Sequence, residues 1–491
     1  MPQAQNIGRA FLDRAGIAPD SVVIMDEDAQ VTLGQLAGMS LAFALHLKKH
    51  GVGQKSTIAI RSDDPVVVLA SVLATAMVGC RWVYAKASLL KQSPVEVTHY
   101  FQTDIEDGKI HPDAVPIDET WAAPPEGHAP SRPPQFQGYR AASDPWLIFS
   151  SSGTTGIPKY MELSHRNVFD RVAAAKPEFA QGPSRVVFLF GVHAAPSLFR
   201  CLAAMLSGWA LVYSADPAFW HQSGVTHVFG SPAQINHVLL GMRLPTKLEK
   251  VLVGGGMLSD DQTKELFENF EHVINNYGST EASHVLANVK TLDRAGDVIT
   301  RTVLRDCEVE VVDDNDRALP PDHEGTIRVR NGYLAPGYLD SPEAEAGTFR
   351  DGWFYPGDRG LWTTDGNLVV TGRVNEQFNL GGTKVNAVLM DYVLLTVEGV
   401  KDAICFLMPQ EGGPDQLMAF LQTEDGQLDP DLIAAAKLRL TIEFGVDAIP
   451  KRFLFIDRIP RNEGGKPDRR ACIELAEEGR RKRNAKSEKR D

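Results

Sequence analysis

Cysteine is scarce and unpatterned in this chain. The five thiols, Cys80, Cys201, Cys307, Cys405 and Cys472, are odd in number and widely scattered, which argues against a disulfide framework and offers no metal-ligand spacing. They read as buried packing residues of a protein in a reducing compartment. Positive charge is also in deficit: 50 Lys and Arg against 63 Asp and Glu leave a formal net charge of −13, with no basic stripe to grip nucleic acid through its phosphates. The longest apolar stretch, near Val66 to Val78, is interrupted and too short to span a bilayer. No basic segment leads into an apolar core at Met1 to Asn6, so no secretory signal is expected. The expectation is a cytoplasmic protein with neither a nucleic-acid nor a membrane partner.

What the chain does have is length and alternation. Its 491 residues exceed what one hydrophobic core usually supports, so at least two domains are expected. Residues 31–50 carry apolar side chains at helical spacing, with Thr32 placed as a cap and Gly51 as a stop. A strand at Thr57–Arg61, a helix from about Pro65 to Gly79 and a strand near Trp82 follow, and then strands at 186–190, 210–213, 228–229, 251–253 and 273–275 with helical patterns between several of them. This predicts an α/β fold, a large doubly wound N-terminal domain whose ligands gather beyond the carboxyl ends of the strands. From about Glu308 the texture turns to short strands and turns, a β-rich subdomain. Between His111 and Pro145 the chain fills with Pro, Gly and polar residues and reads as a long surface connection.

The most informative stretch is 146–159, where the apolar run Trp146-Leu-Ile-Phe149 empties into Ser150-Ser-Ser-Gly-Thr-Thr-Gly-Ile-Pro-Lys159. Gly153 and Gly156 let the backbone approach a ligand closely, Ser151, Ser152, Thr154 and Thr155 offer donors, and Lys159 adds a positive charge: a cradle for polyphosphate. It is not the common nucleotide-binding P-loop, because Ile157 and Pro158 separate the second glycine from the lysine. Downstream, Asn276-Tyr-Gly-Ser-Thr-Glu281 brings a ring, a hydroxyl and a carboxylate to a strand end, Gly254, Gly255 and Gly256 follow another strand, and Trp353-Phe-Tyr-Pro-Gly-Asp358, Thr371-Gly-Arg373 and Ile459-Pro-Arg-Asn-Glu-Gly-Gly-Lys466 complete the set.

Position by position these segments resemble the motifs of acyl-adenylate-forming enzymes, the superfamily of acyl-CoA synthetases, peptide-synthetase adenylation domains and luciferases. The resemblance implies that Tyr277, with Asn276 and Gly278, packs on adenine, that Thr280 meets phosphate, that Glu281 helps hold Mg²⁺, that Asp358 accepts from the ribose hydroxyls, that Arg373 contacts ribose or phosphate, and that Lys466 is the catalytic lysine. It implies a large AMP-binding domain at 1–375, a hinge at Glu376, a small mobile α+β C-terminal catalytic domain at 376–478 and, from charge density alone, a flexible tail at 479–491. Glu376 stands where Asp or Lys is usual, Pro356 where Thr or Ser is common, and Ala387-Val-Leu-Met-Asp391 lacks the family's first glutamate.

The implied reaction is ATP-dependent activation of a carboxylic acid to acyl-AMP with release of pyrophosphate, then transfer to the thiol of CoA. Phe190-Gly-Val-His-Ala-Ala195 lacks the aspartate that pairs with an α-ammonium in peptide-synthetase domains, so the acid is not expected to be an α-amino acid. His193 falls where many acyl ligases set a ring beside the substrate carboxylate, and a structural histidine is the competing reading; the three glycines either line an acyl pocket or form a bare turn. Two alternatives stay open: a stand-alone enzyme that loads an acyl carrier protein, and a degenerate nucleotide-binding module.

Overall fold

The computed structural model describes residues 6–85, 93–103, 111–122, 141–151, 159–179, 182–239, 241–373, 377–380, 383–410, 415–423, 426–427, 429–461 and 467–487. The chain divides into two compact units, the first made of 1–257, 264–309 and 329–354, the second of 258–263, 310–328 and 355–491.

The first unit is α/β, and most of its strands fall into two sheets where strand spacing alone suggested one; the antiparallel pair Phe349–Arg350 and Trp353–Phe354 belongs to neither. The larger has nine strands in the order Val298–Leu304, Ser283–Leu292, Phe270–Ser279, Leu248–Gly254, His227–Gly230, Arg185–Phe188, Ala210–Val212, Val22–Met25, Gln30–Thr32. Its centre is parallel and its edges antiparallel. The second sheet has six strands, ordered Val115–Pro116, His99–Gln102, Thr57–Arg61, Arg81–Tyr84, Pro145–Ser151, Lys159–Ser164.

Local chemistry sets the helices that cover these sheets. Thr32 and Gln35 form a reciprocal capping box on helix Leu33–Lys49. Helix Pro65–Val78 starts at a proline behind an Asp64 cap and ends at Gly79 with φ 79°. It is apolar nearly all round because it is buried nearly all round. Its two inward hydroxyls, Ser71 and Thr75, accept the indole N–H groups of Trp82 and Trp146, each at 3.0 Å, so neither ring leaves an unmet donor in the core. The segment read as a surface connection is pinned at Trp121, which is buried against Phe43, Phe101, His46 and His50.

In the second unit, the three-stranded sheet Val400–Met408, Gln416–Thr423, Arg452–Phe455 packs with helices Ala387–Leu395 and Pro430–Phe444. The last helix, Arg469–Ser487, continues through the charged end where a solvated tail was expected. Pairs at i,i+4, Arg470–Glu474 within the helix and Glu477–Arg481 leading into the charged end, favour its helical conformation.

Candidate functional site

The strand ahead of the expected phosphate loop runs parallel to Arg81–Tyr84 and then turns back on itself. Pro145–Ser151 pairs antiparallel with Lys159–Ser164, and Ser151 stands opposite Lys159. The loop is therefore the connection of a hairpin with Ser151 and Lys159 at its mouth. Ser152, Gly153, Thr154, Thr155 and Gly156 lie outside the described residues. Ser164 caps the helix His165–Ala175 that follows, in a box with Asn167.

The turn bearing Thr280 and Glu281 closes the hairpin Phe270–Ser279/Ser283–Leu292, whose register slips between Tyr277 and Gly278. A Cβ at Gly278 would lie 2.1 Å from the Ser283 carbonyl oxygen, so the bulge tolerates only glycine. Arg171 holds this turn from beneath. Its guanidinium donates to the carbonyl oxygens of Thr280 at 2.8 Å, Glu281 at 2.7 Å and Tyr333 at 3.0 Å. Burial pushes the Arg171 pKa down to about 10, with the Glu281 charge opposing, so the side chain stays protonated at neutral pH. The Ala335 N–H also donates to the Glu281 carbonyl, at 2.8 Å, and the Asn331 carboxamide to that of Ala282, at 2.9 Å.

Among the described residues all this main-chain bonding leaves the Glu281 carboxylate lightly used: Oε1 accepts one hydrogen bond there, 2.8 Å from the Tyr338 hydroxyl, although the residue is buried. On the face of the same Tyr338 ring sits the Lys159 ammonium, 5.0 Å from the centroid. The lysine of the loop hairpin and the glutamate of the turn, 122 positions apart in sequence, thus meet across one aromatic ring. Sequence reasoning missed both Arg171 and Tyr338, because nothing local marks them: their hydrogen-bond partners lie 57 to 162 residues away.

The three glycines close the neighbouring strand. Gly254 stands opposite Asn276 in parallel register. A Cβ at Gly254 would touch Phe229 at 3.5 Å, one at Gly255 would touch Phe190 at 3.9 Å, and Gly256 faces Pro232 at 3.1 Å. Gly255 has φ 75°, so this is a real left-handed turn as well as a wall free of side chains. The Asn276 carboxamide is buried with no partner for its oxygen or its nitrogen among the described residues, and such an orphaned group suits a ligand that both donates and accepts.

His193 stacks on Tyr84 with centroids 3.7 Å apart and planes 6° from parallel. Burial first, then the nearby Arg61 charge, lowers its pKa to about 4 against the opposing pull of Asp63, and the imidazole is neutral at physiological pH. Arg61 and Tyr84 end adjacent parallel strands and are joined at 2.6 Å through the tyrosine hydroxyl.

In the second unit Asp358 and Arg373 face each other in antiparallel register, with Nε donating to Oδ1 at 3.1 Å. Asp391, in the segment that departs from the family pattern, is buried; it accepts from the Cys405 N–H at 2.6 Å and from the Arg469 guanidinium. Glu376 and Lys466 lie outside the described residues. Among the described residues no three acids, histidines or cysteines cluster as a metal cage, and no helix is long and apolar enough to cross a membrane. What the turn offers a cation is a single carboxylate, which suits a hard metal that arrives already carrying phosphate and water.

A family model described as AMP-binding enzyme matches residues 11–339. Oxalate–CoA ligase of Saccharomyces cerevisiae is 28% identical over 364 residues, covering 70% of this chain and 65% of its own. Gramicidin S synthase 2 of Brevibacillus brevis is 25% identical over 504 residues, 96% of this chain but 11% of the synthase. The chain thus spans under two thirds of either protein. Among solved structures, the O-succinylbenzoate coenzyme A synthetase of Bacillus subtilis in complex with AMP superposes with a TM-score of 0.78 at 20% identity, covering 94% of this chain and 97% of that one. A benzoate CoA ligase from Burkholderia xenovorans gives 0.79 at 19%, with 95% and 99% covered. At such identities the likeness establishes the fold.

Proposed function

Because this chain belongs to the AMP-binding enzyme family, we propose that it activates a carboxylic acid with ATP, forming acyl-AMP and pyrophosphate, and passes the acyl group to the thiol of CoA. The observation that carries this reading is the meeting of Lys159 and Glu281 across Tyr338 at the mouth of the loop hairpin. A carboxylate is already negative and has no leaving group, so it must first attack the α-phosphorus of ATP to become a mixed anhydride. Two anions approach each other in that step, and a positioned cation near 4 Å contributes on the order of 4 kcal/mol at an effective dielectric of 20.

In this reading Ser151, Ser152, Thr154, Thr155 and Lys159, with the close backbone approach at Gly153 and Gly156, hold the departing pyrophosphate. Thr280 donates to phosphate, and Asn276 and Tyr277 with Gly278 receive the adenine, for which the unpartnered Asn276 carboxamide is support. Asp358 and Arg373 take the ribose, and Lys466 is the catalytic lysine. Glu281 would hold Mg²⁺, which when bound supplies charge neutralisation on the phosphates. Functional domains at 1–375 and 376–478 hinge at Glu376. Neutral His193 and the glycine wall Gly254, Gly255 and Gly256, beside Phe190 and Phe229, would bound the acyl pocket, and the lack of an aspartate in Phe190 to Ala195 supports an acid that is not an α-amino acid.

Likeness to CoA ligases supports CoA as acceptor. A second reading, loading of a carrier protein's phosphopantetheine, is favoured by the match to a peptide synthetase over 96% of the chain. Reduced thiols, all five free, support a cytoplasmic setting. The test is pyrophosphate release across a panel of aryl, short, medium and long acids, with and without CoA. Turnover that needs both acid and CoA upholds the proposal; release that stalls after one equivalent favours the carrier protein; no release with any acid refutes both.

A further inference from the structure

The segment between Tyr333 and Leu339 is tied at both ends to the two halves of the site. The Ala335 N–H donates to the Glu281 carbonyl at 2.8 Å, and the Leu339 N–H to the Tyr160 carbonyl at 2.7 Å, next to Lys159. Between these ties Gly337 has φ 151°, and a Cβ there would lie 2.7 Å from the Glu345 carboxylate. The strap can therefore bend at Gly337 and deliver Tyr338 into the gap, where Phe349 backs its ring edge-on at 5.5 Å.

We propose that Tyr338 is a positioning residue that keeps Lys159 and Glu281 from neutralising each other, presetting the lysine for phosphate and the carboxylate for the metal that accompanies it. The inference rests on the adenylating role assigned to the site above. Opposite charges that share one ring attract each other, and a direct ion pair would spend both. Among the described residues Lys159 and Glu281 form none. The ring supplies what each charge needs meanwhile: its face receives the ammonium, and its hydroxyl donates to Glu281 Oε1. That donor occupies one carboxylate oxygen and leaves the other for a cation. Both interactions are electrostatically weaker than a direct ion pair, so nucleotide and metal can replace them. Arg171 serves the same end from below, since its three bonds go to carbonyl oxygens and none to the carboxylate.

The two halves of Tyr338 can be separated by substitution. Tyr338→Phe keeps the ring under Lys159 and removes the donor to Glu281, whereas Tyr338→Leu removes both. Equilibrium binding of ATP to the full chain, with and without Mn²⁺ as a spectroscopic stand-in for Mg²⁺, reads each half, and thermal unfolding without ligand reports on folding. Tyr338→Phe is expected to weaken Mn²⁺ binding in the ATP complex about tenfold while metal-free ATP affinity stays within about twofold; Tyr338→Leu is expected to lower metal-free ATP affinity as well, by about fivefold. Wild-type metal affinity in Tyr338→Phe, or a loss of melting temperature in both variants with binding unchanged, overturns the positioning role. Failure of the wild type to bind ATP overturns the adenylating reading together with it. A wild type that binds ATP and activates acids beside an indifferent Tyr338→Phe overturns the positioning role alone.

Discussion

Glu281 in the first unit and Asp391 in the second are both buried acids with a buried or nearly buried arginine beside them, and the arginines are used in opposite ways. Arg469 bonds the Asp391 carboxylate directly and caps the Cys405 carbonyl at 3.0 Å, while the Cys405 N–H takes the other carboxylate oxygen. Every lone-pair direction that matters is spent on holding helix Ala387–Leu395, strand Val400–Met408 and helix Arg469–Ser487 together. Arg171 spends its donors on main-chain carbonyls around Glu281 and leaves the carboxylate with one phenol. Burial alone does not tell a working acid from a structural one; unspent hydrogen-bonding capacity does.

The sharpest way to break this contrast is to remove each carboxylate. Asp391→Ala strands Arg469 beside an unmet Cys405 N–H, and urea unfolding should show a loss of about 3–5 kcal/mol, the usual result of deleting half of a buried pair. The departure from the family pattern at 387–391 would then be a structural adaptation rather than a sign of decay. Glu281→Gln keeps an oxygen for Tyr338 and leaves every Arg171 bond in place, so its stability should stay within about 1 kcal/mol of wild type. Acid-dependent pyrophosphate release should nonetheless fall on the order of 100-fold, about 2.7 kcal/mol in the barrier. If Glu281→Gln unfolds the protein as readily as Asp391→Ala, the distinction drawn here is wrong.

Histidines give a second, smaller contrast. His193, half-buried on Tyr84, and His165, buried on Trp146, are both stacked and lowered to about 4, chiefly by burial. A histidine whose folded pKa lies below its ordinary 6.5 binds fewer protons folded than unfolded. Stability is therefore full above about 6.5 and is lost as pH falls toward the folded pKa. At pH 5 each such group should cost about 2 kcal/mol. His193→Phe keeps the stack and removes the titration, so the drop in urea stability between pH 7.5 and pH 5 should shrink by about that amount, as it should in His165→Phe. Only His193→Phe should also change the relative rates with different acids, because only His193 adjoins the proposed acyl pocket. Glu178, held below the usual carboxylate range by Arg200 and His284 although burial alone would raise it, acts in a lower pH window and leaves this comparison intact.

What was legible in the chain was local. Thr32 with Gln35, Asp64 with Pro65, and the glycine-rich turns announce themselves within four residues. The loop at Ser151 to Lys159 and the turn at Asn276 to Glu281 stood out as candidate ligand-binding segments because their residue types have few other uses together. That these two segments meet across Tyr338 was not, since the meeting depends on a strap pinned at Ala335 and Leu339 to partners 54 and 179 positions away. The partition of the strands into two sheets was hidden for the same reason: a strand's pattern shows its faces, and its neighbours are chosen by the whole fold. Trp121 is buried although its sequence neighbours are polar, because one large ring gains more from burial than a polar pattern reveals.

The smallest effect is expected one residue from the arginine that bonds Asp391. Arg469 and Arg470 are consecutive on the last helix and carry the same charge, yet Arg469 reaches the buried Asp391 while Arg470 pairs with Glu474 at 3.8 Å, where the two side chains are 71% and 69% exposed. Water screens the second pair and the side chains lose entropy in making it, so an exposed i,i+4 pair is worth about 0.3–0.5 kcal/mol. Arg470→Ala should accordingly shift the urea midpoint by about a tenth of the shift caused by Asp391→Ala, and that small shift should vanish in 1 M salt, where the screening length falls to about 3 Å. The Asp391 effect should persist in the same salt, because ions do not reach a pair that the protein itself has enclosed. A large or salt-resistant effect of Arg470→Ala would mean that this helix face is covered in solution, and exposure, the variable on which the contrast turns, would have to be assigned anew.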